Sequence, residues 1–368
     1  MSCNTHRHSI FCILPPDVLI NIAKKGTAAQ REAALESLGV DATIRTNRLT
    51  FNLLGGALGR QDVTGAPPKA HRTISDAGGS QMLPGKTVRN EGGAAVSDAS
   101  VNEAYDGLGA TFDFYLNSYQ RNSIDNAGLP LNASVHFGKK YDNAFWNGQE
   151  MVFGDGDGVI FNRFTACLDV IGHELTHGVT GSESNLTYQG QSGALNESIS
   201  DVFGSLVKQY KLKQTADKAD WLIGAGLLAA GIKGVALRSM KAPGTAFNDK
   251  ILGKDSQPAN MKNYVHTTQD NGGVHTNSGI PNHAFYLLAT AIGGNAWEKA
   301  GLIWYDTVCD KQLPHSATFA TFANKTAVHA AQRFGSQSTE RKAVLDSWAQ
   351  VGVKVAATIG ATFTAAGH

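Results

Sequence analysis

Two histidines one helical turn apart, in the run His173-Glu174-Leu175-Thr176-His177, constrain this 368-residue chain more than any other feature. Residues four apart on a helix project from the same face, so any fold the chain adopts must present two imidazoles side by side. The surrounding Leu168, Ile171, Leu175 and Val179 recur at helical spacing, which predicts an amphipathic helix through the motif. A second stripe, Leu195, Ile199, Val202 and Leu206, predicts the next helix.

Neutral imidazole is a good ligand for zinc, and two from one turn define an edge of a tetrahedron. Glu174 lies about 100° around the helix from His173 and can reach a metal-held water without ligating. Zinc lowers the pKa of such a water to about 7, within range of a carboxylate acting as base. A catalytic zinc needs a third protein ligand and one open position. Glu197, in Asn196-Glu197-Ser198-Ile199-Ser200-Asp201, is the candidate. Asp201 shares its helix face and can accept a hydrogen bond from one ligand histidine, with Asn196 able to serve the other. Alone, that hexapeptide reads equally well as a solvated acidic helix face. A third cluster, Asp270-Asn271-Gly272-Gly273-Val274-His275, reads as a glycine-rich turn presenting one histidine. Asp270 there can orient His275 and favour its protonated form, a donor to a developing oxyanion.

Composition narrows the classes. With 42% hydrophobic and 17% charged residues the chain reads as soluble and globular. A net charge of +1 indicates neither a nucleic-acid footprint nor attraction to an acidic membrane. The apolar run Ile10 to Leu14 is broken by Pro15-Pro16, too short for a secretory segment or a membrane span. With no ordinary signal peptide, cytoplasmic residence and non-classical export both stay open. Four scattered cysteines, Cys3, Cys12, Cys167 and Cys309, do not suggest a disulfide framework.

Along the chain, Pro15-Pro16 opens a short segment ending near Gly26. Thr27 with Gln30 fits a capping box, followed by an apolar face of Leu35 and Leu38 before Gly39 stops the helix. Residues 52–96 read as a linker running into turns and strands, 103–119 as a helix, and 134–161 as strands and hairpins. The Gly154-Asp155-Gly156-Asp157-Gly158 run lacks the downstream ligands of a calcium loop and reads as a turn. The architecture is α+β, with a strand-rich front half and a helical back half.

Taken together, Asn143-Ala144-Phe145-Trp146, HELTH, SGALNESISD, Leu237-Arg238-Ser239-Met240 and QDNGGVHTNSG closely resemble the thermolysin family of metallopeptidases over roughly residues 70–353. The short N-terminal segment with Pro15-Pro16-x-x-Leu19 is similar to the protealysin subgroup. The resemblance implies a two-lobed fold with the HELTH helix on the cleft floor. Its expected parts are an inhibitory leader of residues 1–50, a β-rich lobe of 51–182 and a helical lobe of 183–368. It implies zinc on His173, His177 and Glu197, with Glu174 as general base. His275 and Tyr188 would stabilise the oxyanion and Asp270 would support His275. Asn143, the Ala144 backbone and Arg238 would hold the peptide, and Phe161, Phe164, Val170 and Leu237 would line an apolar pocket. The expected activity is endopeptidase cleavage of proteins before hydrophobic residues; the alternative is an inactive, thermolysin-like binding protein. The leader is expected to block the cleft until self-cleavage within Arg48 to Leu54, and in a sharper version Cys3, Cys12, His6 or His8 touches the metal.

One departure stands out. The family's paired calcium site is reduced to Asp169 and Asp220, with Lys208, Leu222 and Ala225 where other acids stand. Calcium takes six to eight oxygens. Its absence from that site is therefore expected, with Lys208 donating to Asp169 instead.

Overall fold

The computed structural model describes residues 11–53 and 67–356. The described residues open with β1 (Phe11–Cys12), then α1 (Pro16–Lys25) and α2 (Ala28–Leu53). Pro16 at the first helical position supplies the fixed φ a helix start tolerates. The capping box forms as expected, with the Thr27 amide on Gln30 Oε1 at 2.8 Å and the Gln30 amide on Thr27 Oγ1 at 3.4 Å.

Gly39 does not stop α2, and Leu35 is not on its buried face. The helix continues to Leu53 and Leu35 is 60% exposed, whereas Ala33, Ala34 and Val40 are buried and Leu38 packs partly against the core. Contacts on either side of Gly39 override the local signal. Ser37 Oγ accepts from the Asp142 amide, and the buried Asp41 carboxylate accepts from the Tyr141 hydroxyl and from Asn143 Nδ2. The expected boundary at residue 50 consequently falls inside a helix.

The front half follows as β2 (Arg72–Asp76), β3 (Lys86–Asn90), α3 (Ala99–Tyr119), β4 (Leu131–Val135), β5 (Ala144–Trp146) and β6 (Glu150–Phe153). Asp98 caps α3 through the Ser100 and Val101 amides. The strands form one mixed sheet in the order β1-β5-β6-β4-β2-β3. Without the N-terminal strand, β5 would be an open edge. The GDGDG run is a turn: Asp157 Oδ1 accepts from the amides of Val159, Ile160 and Phe161.

The back half contains α4 (Leu168–Ser182) and α5 (Gly190–Leu212), a small β7 (Leu222–Ile223) and β8 (Arg238–Ser239) hairpin, and then five further helices. These are α6 (Asp270–Asn277), α7 (Gly279–Ile292), α8 (Ala300–Cys309), α9 (Phe319–Phe334) and α10 (Thr339–Gln350). Among the described residues, no helix is long and apolar enough to cross a membrane.

Helices α4 and α5 cross unusually closely because glycines face each other there. A Cβ on Gly204 would stand 2.4 Å from the Asp169 carbonyl oxygen and 3.0 Å from the His173 amide nitrogen, and one on Gly172 would lie 3.1 Å from Gly204 Cα. That approach lets side chains from both helices reach one point. Gly204→Ala should force the helices apart, costing about 1–3 kcal/mol of stability and weakening metal binding. Denaturant unfolding and a competitive chelator titration would measure both, and an unchanged pair of values would contradict this reading.

Candidate active site

The paired histidines of α4 meet Glu197 of α5 in the core. Their ligating atoms all lie within 4.8 Å of one another, and each residue is at most 1% exposed. His173 Nδ1 lies 2.8 Å from Asp201 Oδ1, and His177 Nδ1 lies 2.8 Å from Asn196 Oδ1. With both Nδ1 protons donated outward, the two Nε2 lone pairs face inward, 3.0 Å apart. Burial, then His173, holds His177 well below the ordinary imidazole range, which favours the neutral, ligating form. Glu197 Oε2 and Glu174 Oε1 are buried without a hydrogen-bond partner. Converging lone pairs and orphaned carboxylate oxygens need a cation between them, and two histidines with one carboxylate suit zinc.

Glu174, fully buried, points its other oxygen at the Trp146 amide of β5, 3.2 Å away. Burial, with Glu197 adding repulsion, pushes its carboxyl well above the usual range. Asp201 does double service. Beyond His173, it accepts from Arg238 through Nε and Nη2, both at 2.8 Å, and from Asn282 Nδ2 at 2.8 Å. Burial opposes its charge, but Arg238 and His173 outweigh that and hold Asp201 below the usual carboxylate range. Breaking such a buried pair by removing one partner typically costs about 3–5 kcal/mol.

The glycine-rich cluster forms a turn running into α6. Asn271, Gly272 and Gly273 all have positive φ, and the short helical turn after them carries His275. Asp270 accepts from the His275 amide at 2.9 Å and stands 2.8 Å from its Nδ1. Burial works against protonation of His275, yet Asp270 and Glu197 raise it to about 9. Tyr188 donates its hydroxyl to Glu197 and lies 3.3 Å from His275 Nε2. Phe161, Phe164, Val170 and Leu237 are all buried in one apolar core, with the two phenyl rings 5.9 Å apart.

The N-terminal segment runs through this site. β1 pairs antiparallel with β5, Phe11 opposite Trp146 and Cys12 opposite Phe145. The Ile13 amide donates to Ala144 O at 3.4 Å and the Leu14 amide to Asn143 Oδ1 at 3.2 Å. Arg238 Nη1 donates to Ile13 O at 2.8 Å, and Cys12 O is 3.1 Å from His275 Nε2. Asn143, Ala144 and Arg238 therefore all grip an extended peptide. Cys12 approaches through its carbonyl and not its sulfur, which belongs to a side chain packed with Val40, Phe137, Tyr141, Phe145 and Val152. Strand alternation sends that side chain to the far face, so it is not a metal ligand. Cys3, His6 and His8 lie outside the described residues.

This combination of a buried His-His-Glu cluster and a clamped peptide strand agrees with the comparisons. The thermolysin metallopeptidase catalytic domain matches residues 38–181, and the thermolysin metallopeptidase alpha-helical domain matches residues 184–353. The chain belongs to the thermolysin family. It is 55% identical to an extracellular metalloprotease of Pectobacterium carotovorum subsp. carotovorum, covering 94% of this chain and 97% of that one. It is 48% identical to protease PrtS of Photorhabdus sp. (strain Az29), over 93% and 92% of the two chains. The solved precursor of protealysin, a metalloproteinase from Serratia proteamaculans, superposes with a TM-score of 0.85 at 58% identity, covering 94% of this chain and 100% of that one. As a thermolysin-family enzyme, the protein is a zinc-dependent endopeptidase.

Several residues that touch this cluster escaped the sequence reading. Asn282 stands next to His283 in the Ile280 to Leu288 stretch, and nothing in its spacing ties it to Asp201. Ser200 Oγ, 3.0 Å from His177 Nδ1, sits one turn beyond Asn196 and carried no separate signal. The Trp146 amide, as backbone, could not be read from sequence at all.

Proposed function

We propose that His173, His177 and Glu197 hold the zinc and that Glu174 is the general base of peptide hydrolysis. The peptide strand held by Ala144, Asn143, Arg238 and His275 beside the His-His-Glu cluster is the observation that carries this reading. A zinc ion held by these three side chains would supply a Lewis acid for the peptide carbonyl and for a water molecule. Glu174 takes the proton from that water and returns it to the leaving nitrogen, a role consistent with its raised affinity for a proton. Protonated His275, kept charged by Asp270, donates from Nε2 to the oxyanion, and Tyr188 supplies a second donor once it turns from Glu197. Asp201 and Asn196 hold the two imidazoles in the ligating tautomer. Arg238 positions the carbonyl after the scissile bond. The buried Phe161, Phe164, Val170 and Leu237 support a preference for a hydrophobic residue on the leaving side.

The protein is further proposed to be made as a precursor, as the protealysin neighbour is, with residues 1–50 as an inhibitory leader. Its helix α1 reaches the C-terminal lobe, where Asn21 Nδ2 donates to Leu252 O at 3.0 Å, while α2 grips Tyr141 to Asn143. The leader thus excludes substrate by completing the sheet edge. The maturation cut is proposed to fall within Arg48 to Leu54; the described part of that segment, through Leu53, is helical and would have to unwind to enter the cleft.

Glu174→Ala should keep zinc at one equivalent and abolish hydrolysis, because the residue is not a ligand. His173→Ala and Glu197→Ala should lose both. Metal analysis beside an assay on a peptide with blocked ends would check this. A Glu174→Ala protein devoid of zinc, or nearly as active as the wild type, would contradict the assignment.

The paired calcium site is proposed to be replaced by an ion pair. Lys208 Nζ sits 2.7 Å from Asp169 Oδ2, 3.0 Å from Asp220 Oδ1 and 2.7 Å from Leu222 O. One fixed ammonium stands among the oxygens a divalent ion would need. Millimolar calcium should therefore leave the melting temperature of zinc-loaded enzyme within about one degree of its value in a calcium-selective chelator. A large rise would contradict the proposal, since binding to the native state must stabilise it.

A further inference from the structure

The leader strand does more than cover the cleft, because one of its peptide bonds lies where a scissile bond would lie. Cys12 O is 3.1 Å from His275 Nε2, the proposed oxyanion donor. The nitrogen on the other side of that carbonyl, Ile13 N, donates to Ala144 O at 3.4 Å. The next carbonyl, Ile13 O, is held by the fully buried Arg238, and the next amide, Leu14 N, by Asn143. Ile13 is completely buried, in the same apolar core as Phe161, Phe164, Val170 and Leu237, while the Cys12 side chain packs on the opposite face. A hydrophobic residue thus follows the bond, as the proposed specificity requires.

Building on the catalytic roles proposed above, we infer that Cys12–Ile13 is itself a cleavage site and that the leader is a slow substrate of its own enzyme. Water adds to the Cys12 carbonyl carbon and its proton passes to Glu174. The C–N bond to Ile13 then breaks, and Glu174 delivers the proton to the Ile13 nitrogen. The products are a Cys12 carboxylate and a new amino terminus at Ile13, with water the sole co-reactant. The cut is slow in net terms because the new amine stays in place. Pro15-Pro16 stiffens the path into α1, whose Asn21 is tied to Leu252 O, and α2 is held by Ser37 and Asp41. An amine retained beside the carboxylate at high effective concentration favours resynthesis. This bond lies outside the segment Arg48 to Leu54, so the leader carries two separate processing sites, one inside the cleft and one beyond it.

The test starts from metal-free full-length chain mixed with zinc and followed by mass spectrometry. A fragment ending at Cys12 and a chain beginning at Ile13 should appear together, at a first-order rate unchanged by tenfold dilution, and be absent from Glu174→Gln. Ile13→Asp, which would bury a charge in the apolar pocket, should slow the cut by more than about tenfold. Independently of hydrolysis, the Ile13 and Leu14 amides of zinc-loaded Glu174→Gln should be protected from hydrogen exchange, and Ile13→Asp should release them. The inference is overturned if the chain hydrolyses an added blocked peptide while Cys12–Ile13 stays intact. A cut that occurs only between molecules, or unprotected Ile13 and Leu14 amides, overturns it equally. Failure to hydrolyse any peptide would instead remove the activity on which the inference rests.

Discussion

Everything in this molecule is arranged around one electrostatic difficulty, the burial of His173, His177, Glu197 and Glu174 within a few ångströms of each other. Each is at most 1% exposed. Desolvating such groups costs several kcal/mol apiece, and removing their charge would remove their use. The fold answers with a graded set of partners. Asp201 and Asn196 hold the imidazoles from behind, Arg238 and Asn282 hold Asp201, and the Trp146 amide holds Glu174. The two Nε2 atoms and the Glu197 carboxylate converge on one point, which is where a zinc ion is proposed to sit. The glycine contact between α4 and α5 is what brings these groups together.

The same network extends into the leader. Arg238 binds Asp201, the partner of His173, with two nitrogens and Ile13 O with a third, so one guanidinium joins the His-His-Glu cluster to the strand in the cleft. His275 similarly joins Asp270 to Cys12 O. The strand in the cleft is thus connected to His173 through Arg238 and then Asp201. Adding a strand to an exposed sheet edge supplies affinity through the backbone, which tolerates varied sequence, while the buried pocket supplies selectivity.

Much of the site was legible in the sequence, because metal chemistry ties residue type to spacing. The HELTH motif gave the helix, the face and two of the three side chains that cluster, and the Asn196 to Asp201 run gave the third together with the two groups behind the imidazoles. The capping box at Thr27 and the GDGDG turn were legible for a similar reason, since each is closed by contacts within a few residues. Long-range contacts were not. The continuation of α2 past Gly39 depends on Tyr141 to Asn143, about a hundred residues away, and no local rule carries that. Cys12 is one of four leader residues that the sequence alone leaves able to touch a metal, and strand pairing decides that its carbonyl faces the site and its side chain the core. Asn282 and the Trp146 amide become visible only once the helices are packed.

The central claim is that the leader and a substrate compete for one register on β5. It is tested most directly by calorimetric binding of a peptide hydroxamate to zinc-loaded Glu174→Gln protein, which cannot process itself. The full-length chain should bind more than about tenfold more weakly than the same chain after its leader has been removed by added active enzyme, because only the leader-free fraction can accept the ligand. Equal affinities in the two forms would contradict the account.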